Sequence, residues 1–140
     1  MQAQTAARQQ QLRNIATTYF EALRRKDFSA IPYADDATLR APLAPGGVNQ
    51  PLVGKAALHE QWWLPLQPAL ENVAIVVLDT YLNESLTAVC AEALITINVL
   101  APPATLRVAD RFTVNDEGHI TEQENHFDPR DVTNPGWQNS

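Results

Sequence analysis

At 140 residues, 45% of them hydrophobic and 19% charged, the chain has the size of one domain with its own core. A net charge of −6 and a pI near 4.9 leave no basic patch, which excludes nucleic acid and anionic membrane surfaces as partners. The single cysteine, Cys90, excludes an internal disulfide and, within its apolar run, reads as a small core residue.

The N-terminal MQAQTAARQQQ lacks the apolar centre of a signal peptide, and no run approaches the roughly 20 apolar residues of a membrane span. The expectation is a cytoplasmic protein without a membrane partner. Residues 6 to 26 form one amphipathic helix, because Leu12, Ile15, Ala16, Tyr19 and Leu23 recur at three- and four-residue spacing. Asp27 is placed to cap a second short helix over 28 to 32.

Residues 36 to 42 alternate as a strand with Ala37, Leu39 and Ala41 on one face. APLAPGGVNQPLVG, 41 to 54, is a long Pro/Gly loop of the kind that borders a site. A third helix fits 54 to 64 and should stop at Pro65. On it His59 and Trp63 are four apart, as are Leu58 and Trp62, so one pair should face the core or a pocket rim.

Strand-like runs follow over 72 to 82, 86 to 99, 104 to 115 and 119 to 128, the last two joined by a hairpin turn at Asn115-Asp116-Glu117-Gly118. Helices gathered before a four-strand meander predict an α+β fold. DPRDVTNPGWQNS, from about 129, reads as a polar tail without a regular element, with Trp137 docked on the domain or its partner near a pocket mouth.

The run TLRVADRFTV, 105 to 114, holds an anomaly. Leu106, Val108, Phe112 and Val114 make an apolar face, and Asp110 stands in the middle of it. Arg107 and Arg111 alternate to the other face and should not compensate its charge.

Three segments carry a family resemblance: TYFEALRRKDFSAI, YADDATLRAP and DRFTVNDEGHITEQENHFDP. Over about residues 10 to 130 the chain resembles the nuclear transport factor 2-like superfamily. Its members include ketosteroid isomerase, limonene epoxide hydrolase, scytalone dehydratase and the SnoaL-like polyketide cyclases. The resemblance implies a single SnoaL-like domain across 1–140. It also implies a cone-shaped, curved antiparallel sheet wrapped around N-terminal helices, with an apolar pocket at the open end. The face of Val108 and Asp110 would line that pocket.

By the same resemblance Asp110 matches the protonated aspartic acid of ketosteroid isomerase, and Tyr19 matches the tyrosine that shares its oxyanion site. The isomerase's general base is replaced by Ala41, before Pro42. The arginine and first aspartate of the epoxide hydrolase are replaced by Ala91 and Ala93, and the second aspartate by Asn125. An amide orients water or a carbonyl but is no base near pH 7.

The candidate catalytic residues are therefore Asp110, Tyr19 and Asn125. The candidate substrate contacts are Gln123, Phe127, Val108, Leu39, Ala41, Trp62 and Trp63. His126 should fall on the opposite face of the last strand, and His59 and His119 should be solvated. Scattered histidines without carboxylate spacing predict no metal, and no cofactor motif is present. The outer face of 86 to 99, with Leu86, Ala88, Cys90 and Leu94, is apolar, and relatives commonly dimerise there, so a homodimer is expected.

Two function classes stay open. One is cofactor-free acid–base chemistry on a small hydrophobic molecule: isomerisation, dehydration, cyclisation or epoxide opening. The other is a ligand-binding or assembly domain without catalysis, in which Asp110 is a structural carboxylate.

Overall fold

The computed structural model describes residues 2–137. Helix α1 (Gln2–Arg25) buries Leu12, Ile15, Ala16, Tyr19, Phe20, Ala22 and Leu23, so the stripe read from the sequence is its core face. The helix stops without glycine. Lys26 takes φ +56°, and the Asp27 and Lys26 N–H groups bond back to the Ala22 and Leu23 carbonyls. The short helix expected over 28 to 32 is only a 3-10 turn, Phe28–Ala30. Asp27 does not cap it; its carboxylate accepts from the Ser29 hydroxyl instead.

Strand β1 (Tyr33–Arg40) leads into the Pro/Gly loop and a two-residue strand, β2 (Leu52–Val53). Helix α2 (Lys55–Leu58) continues through a π turn, His59–Trp63, into α3 (Leu64–Leu66) and a 3-10 turn, Gln67–Leu70. The expected stop at Pro65 does not occur. Pro65 lies within the first turn of α3, where its missing N–H costs least, and the preceding π turn has already opened the regular bonding ladder.

Strands β3 (Ala74–Leu82), β4 (Ala88–Ile97), β5 (Ala104–Val114) and β6 (Ile120–His126) form the antiparallel meander. Gly118 supplies φ +84° in the last hairpin turn. The sheet order is β2-β1-β6-β5-β4-β3, with β1 joining β6 in parallel. The sheet is curved and unclosed, and α1 lies against β3, β4 and β5 on its inner face.

One arginine fastens the N-terminal half of α1 to the far end of the sheet. Arg8 Nε donates to the Leu86 carbonyl at 2.9 Å, Nη2 to Val114 at 2.8 Å and Nη1 to Asn115 at 3.1 Å. Leu86 has φ +55°, an uncommon backbone for a branched residue, so this clasp stabilises a strained turn.

The C-terminal segment departs from a featureless tail. It contains the short helix α4 (Arg130–Thr133). Trp137 Nε1 donates to Asp131 at 2.9 Å, and the Arg130 guanidinium lies 3.7 Å from the centre of its ring. The segment lies against β5, and Gly136 approaches Pro102. Residues 138–140 of the expected tail lie outside the described residues.

Candidate functional site

The strict alternation of β5 puts Leu106, Val108, Asp110, Phe112 and Val114 on the inner face, all buried. Ladder pairing places Asp110 between Ala91 of β4 and Asn125 of β6. The inner face opens into a cavity of about 310 Å³. Val108, Asp110, Leu106 and Asn125 form its floor, with Ile95 and Ile97. Tyr19 and Leu23 come from α1, and Gln61, Trp62, Leu66 and Leu70 from the helical run after β2. Ala41, Leu43 and Ala44 border it from the Pro/Gly loop, and Phe127 and Val132 from the C-terminal segment.

Among the described residues Asp110 is the only carboxyl group on that wall. It is 2% exposed, and its Oδ1 has no hydrogen-bond partner among the described residues. Burial in this apolar surround pushes its pKa from 3.8 to about 8. At pH 7 the group is therefore mostly the neutral acid, a donor as well as an acceptor. Arg107 is exposed on the outer face, and Arg111, also outside, pairs with Glu124 at 2.9 Å. A structural carboxylate held by an arginine or by backbone donors would have its pKa lowered, the opposite of what this environment imposes.

Tyr19 is buried against Phe112, at 4.9 Å between ring centres, and stacks on Trp62 at 6.5 Å. Its phenol stays protonated because burial, then the charges of Asp110 and Tyr33, raise its pKa; the amides of Gln123 and Asn125 oppose the shift. Sequence reasoning missed Tyr33. Its hydroxyl donates to Gln123 Oε1, and Gln123 Nε2 donates to Asn125 Oδ1 at 2.9 Å.

Of the residues expected at the site, Asp110, Tyr19, Asn125, Phe127, Val108, Ala41 and Trp62 line the cavity. Leu39, Trp63 and Gln123 do not. Leu39 is fully enclosed beneath β6, paired in register with Gln123. Trp63 faces Phe28 at 5.5 Å, on the side of the helical run away from the cavity. Gln123 lies behind Asn125 and meets the site through it and through the Tyr19 hydroxyl.

His126 is on the outer face beside Glu124, at 3.7 Å, and His119 is exposed. His59 is half-buried, its ring 4.9 Å from that of Phe28, rather than solvated. Cys90 is half-buried on the outer sheet face and is not a core residue. Among the described residues no group of three or more His, Cys, Asp or Glu side chains could hold a metal ion.

The model of the SnoaL-like domain matches residues 16–123, most of the chain and nearly all of the sheet. The chain belongs to the SnoaL-like family. Among curated proteins, none matches the sequence. Solved structures with this fold are numerous. The epoxide hydrolase/cyclase-like enzyme SalBIII, with a role in pyran-ring formation in the polyether salinomycin, is similar at 22% identity and TM-score 0.72. The match covers 88% of this chain and 95% of that one. A steroid delta-isomerase from Pseudomonas aeruginosa matches at 18% identity and TM-score 0.61, over 85% of this chain and 80% of its own. A Mycobacterium tuberculosis protein in complex with estradiol-17beta-hemisuccinate matches at 12% identity and TM-score 0.66, over 84% and 94%. Identities this low establish the SnoaL-like architecture and leave the reaction to be argued from the cavity. No described helix is long and apolar enough to cross a membrane.

Proposed function

We propose that this SnoaL-like domain binds a small, neutral, mostly hydrophobic molecule in the cavity and transforms it without a cofactor, with Asp110 as the acid. One observation carries the reading: a buried carboxyl group without a cation, one of its oxygens unpartnered, stands in the wall of an otherwise apolar cavity. A fold does not keep such a group for stability, because removing a carboxyl group from water without a partner costs free energy.

The chemistry follows from the proton inventory. Among the described residues Asp110 and Tyr19 are the only titratable side chains on the cavity wall, and Tyr19 is held as the phenol. Asp110 must therefore both deliver and recover the proton. It protonates a substrate oxygen as that oxygen's bond to carbon breaks, or as charge gathers on it. The resulting carboxylate then takes the proton that leaves the attacking hydroxyl or the adjacent carbon of the same substrate. Tyr19 donates a hydrogen bond to the same oxygen. Such a cycle fits isomerisation, cyclisation, dehydration or epoxide opening, and it needs no second base at Ala41, Ala91 or Ala93. The neighbours with a role in pyran-ring formation, in steroid isomerisation and in binding an estradiol ester support substrates of this kind.

A panel of neutral epoxy-alcohols and unsaturated ketones, followed for turnover, tests the proposal. Activity should be present below about pH 8 and fall as the pH rises through that value. Asp110→Asn should keep binding and lose turnover. A rate that grows with pH would show that the ionised form acts, and would overturn the assignment of Asp110 as acid. A second reading, binding without catalysis, is favoured by Ala91 and Ala93, both fully buried where relatives carry charges. Tight binding across the panel with no turnover by either form would establish it.

A further inference from the structure

The polar end of the cavity has a direction. Tyr33 is buried at the start of β1 and faces β6 across the parallel pairing. Its hydroxyl is a donor, because its phenol is held protonated by burial and by the charge of Asp110. The acceptor it finds is Gln123 Oε1. That contact orients the Gln123 amide, so its nitrogen points along β6 and donates to Asn125 Oδ1. With its oxygen occupied, Asn125 has its N–H₂ left for the Tyr19 hydroxyl beside it and for the cavity. The reversed chain would leave the buried Tyr33 proton without its acceptor, which costs more than either amide gains.

We infer that the Tyr33–Gln123–Asn125 chain sets the hydrogen-bond polarity of the site, so that Asn125 presents a donor to the cavity and selects a substrate oxygen that accepts. Tyr33 and Gln123 are positioning residues, because neither lines the cavity; both act through Asn125, and Gln123 also through the Tyr19 hydroxyl. The inference rests on the cavity being the ligand site, and it narrows the substrate class. With Tyr19 also a donor, the preferred ligand carries a carbonyl, ether or epoxide oxygen at its polar end and an apolar body. A ligand whose polar end can only donate, such as an ammonium group, meets the wrong partners.

Two test ligands of nearly equal shape separate the polar contact from the fit. 2-Acetylnaphthalene carries an accepting oxygen, and 2-ethylnaphthalene carries none. Their dissociation constants are measured by quenching of tryptophan fluorescence, since Trp62 lines the cavity. Tyr33→Phe should weaken 2-acetylnaphthalene by about fivefold to tenfold and leave 2-ethylnaphthalene unchanged. Gln123→Met, which breaks the same chain at its middle link, should do the same. Unchanged hydrocarbon binding reports an intact cavity, so a folding defect cannot imitate the result. If both ligands bind the wild type and both weaken equally in the two variants, or neither weakens, the polarity inference falls while the pocket stands. If neither ligand binds the wild type, the pocket reading falls and takes this inference with it.

Discussion

Asp110→Asn keeps the shape of the side chain and removes its titration, so it isolates the cost of holding a carboxyl group in the cavity wall. In the folded protein the group titrates at about 8, against 3.8 ordinarily. Between those values the unfolded chain has released its proton and the folded protein retains it. Folding then takes up one proton, and stability falls by about 1.4 kcal/mol for each unit of rising pH. The favourable contribution is complete below pH 3.8 and is lost as the pH rises through about 8. Over the three units from pH 4 to 7 the loss amounts to about 4 kcal/mol at most, a large share of a domain's stability. The Asn variant has no such slope. Its amide brings an extra N–H into the apolar wall, a pH-independent cost of about 1–2 kcal/mol. The variant should therefore be slightly less stable at pH 4 and about 2 kcal/mol more stable at pH 7. Urea unfolding of both proteins in half-unit steps between these limits measures the difference directly, and groups common to both cancel. A difference that stays flat with pH, or an Asn deficit that widens as pH rises, would refute the reasoning. The second outcome would mean that the carboxylate is held by donors or cations in the native state.

Arg8→Ala removes three bonds to the Leu86, Val114 and Asn115 carbonyls, and should cost about 2 kcal/mol, lowering the melting temperature by several degrees. Ending the chain after Asn134 removes Trp137 from Arg130 and Asp131. With Val132 no longer braced at the cavity, ligand affinity as well as melting temperature should drop; unchanged values for both would argue that the segment has no structural role. On the outer sheet face Val76 pairs with Leu94 and Tyr81 with Cys90, and Val76 and Tyr81 are each more than half exposed. This face is expected to join two copies, so light scattering at micromolar concentration should give twice the chain mass, and a monomer would refute it.

The parts of the fold that were legible in the sequence are those where one residue's neighbours along the chain decide its fate. The apolar stripe of α1 and the alternation of β5 are of this kind, and Asp110 was visible because it broke the alternation. The helical run past Pro65 was hidden, because the π turn that admits it answers to the packing of Trp62 and Trp63 rather than to local propensity. Tyr33 was hidden for a different reason. Read from residue 36, the strand stops short of Tyr33, which shares the buried face of Ala37 and Leu39. The signal that remained was an aromatic residue directly after Pro32 at a strand start, which says nothing about a partner ninety residues away. Leu39 shares a face with lining residues, but a face is wider than a cavity, and Trp63 sits on the side of the helical run turned away from it.

The π turn at His59–Trp63 gives the pocket wall one place where the chain can change length. A π turn holds one residue more than an α-helical turn over the same span, and here adjacent indoles serve different neighbours, Trp62 the cavity and Trp63 the core. Losing one residue between them and Leu58 would let the turn relax to α-helical pitch. Everything downstream, including Leu66 and Ala69 on the cavity wall, would then keep its place on the helix, because the α-helical turn covers the same span with one residue fewer. Substitutions in this segment adjust the lining one side chain at a time. A single deletion at the turn would leave the rest of the lining in place, which makes this turn a place where SnoaL-like chains can lose a residue without rebuilding the pocket.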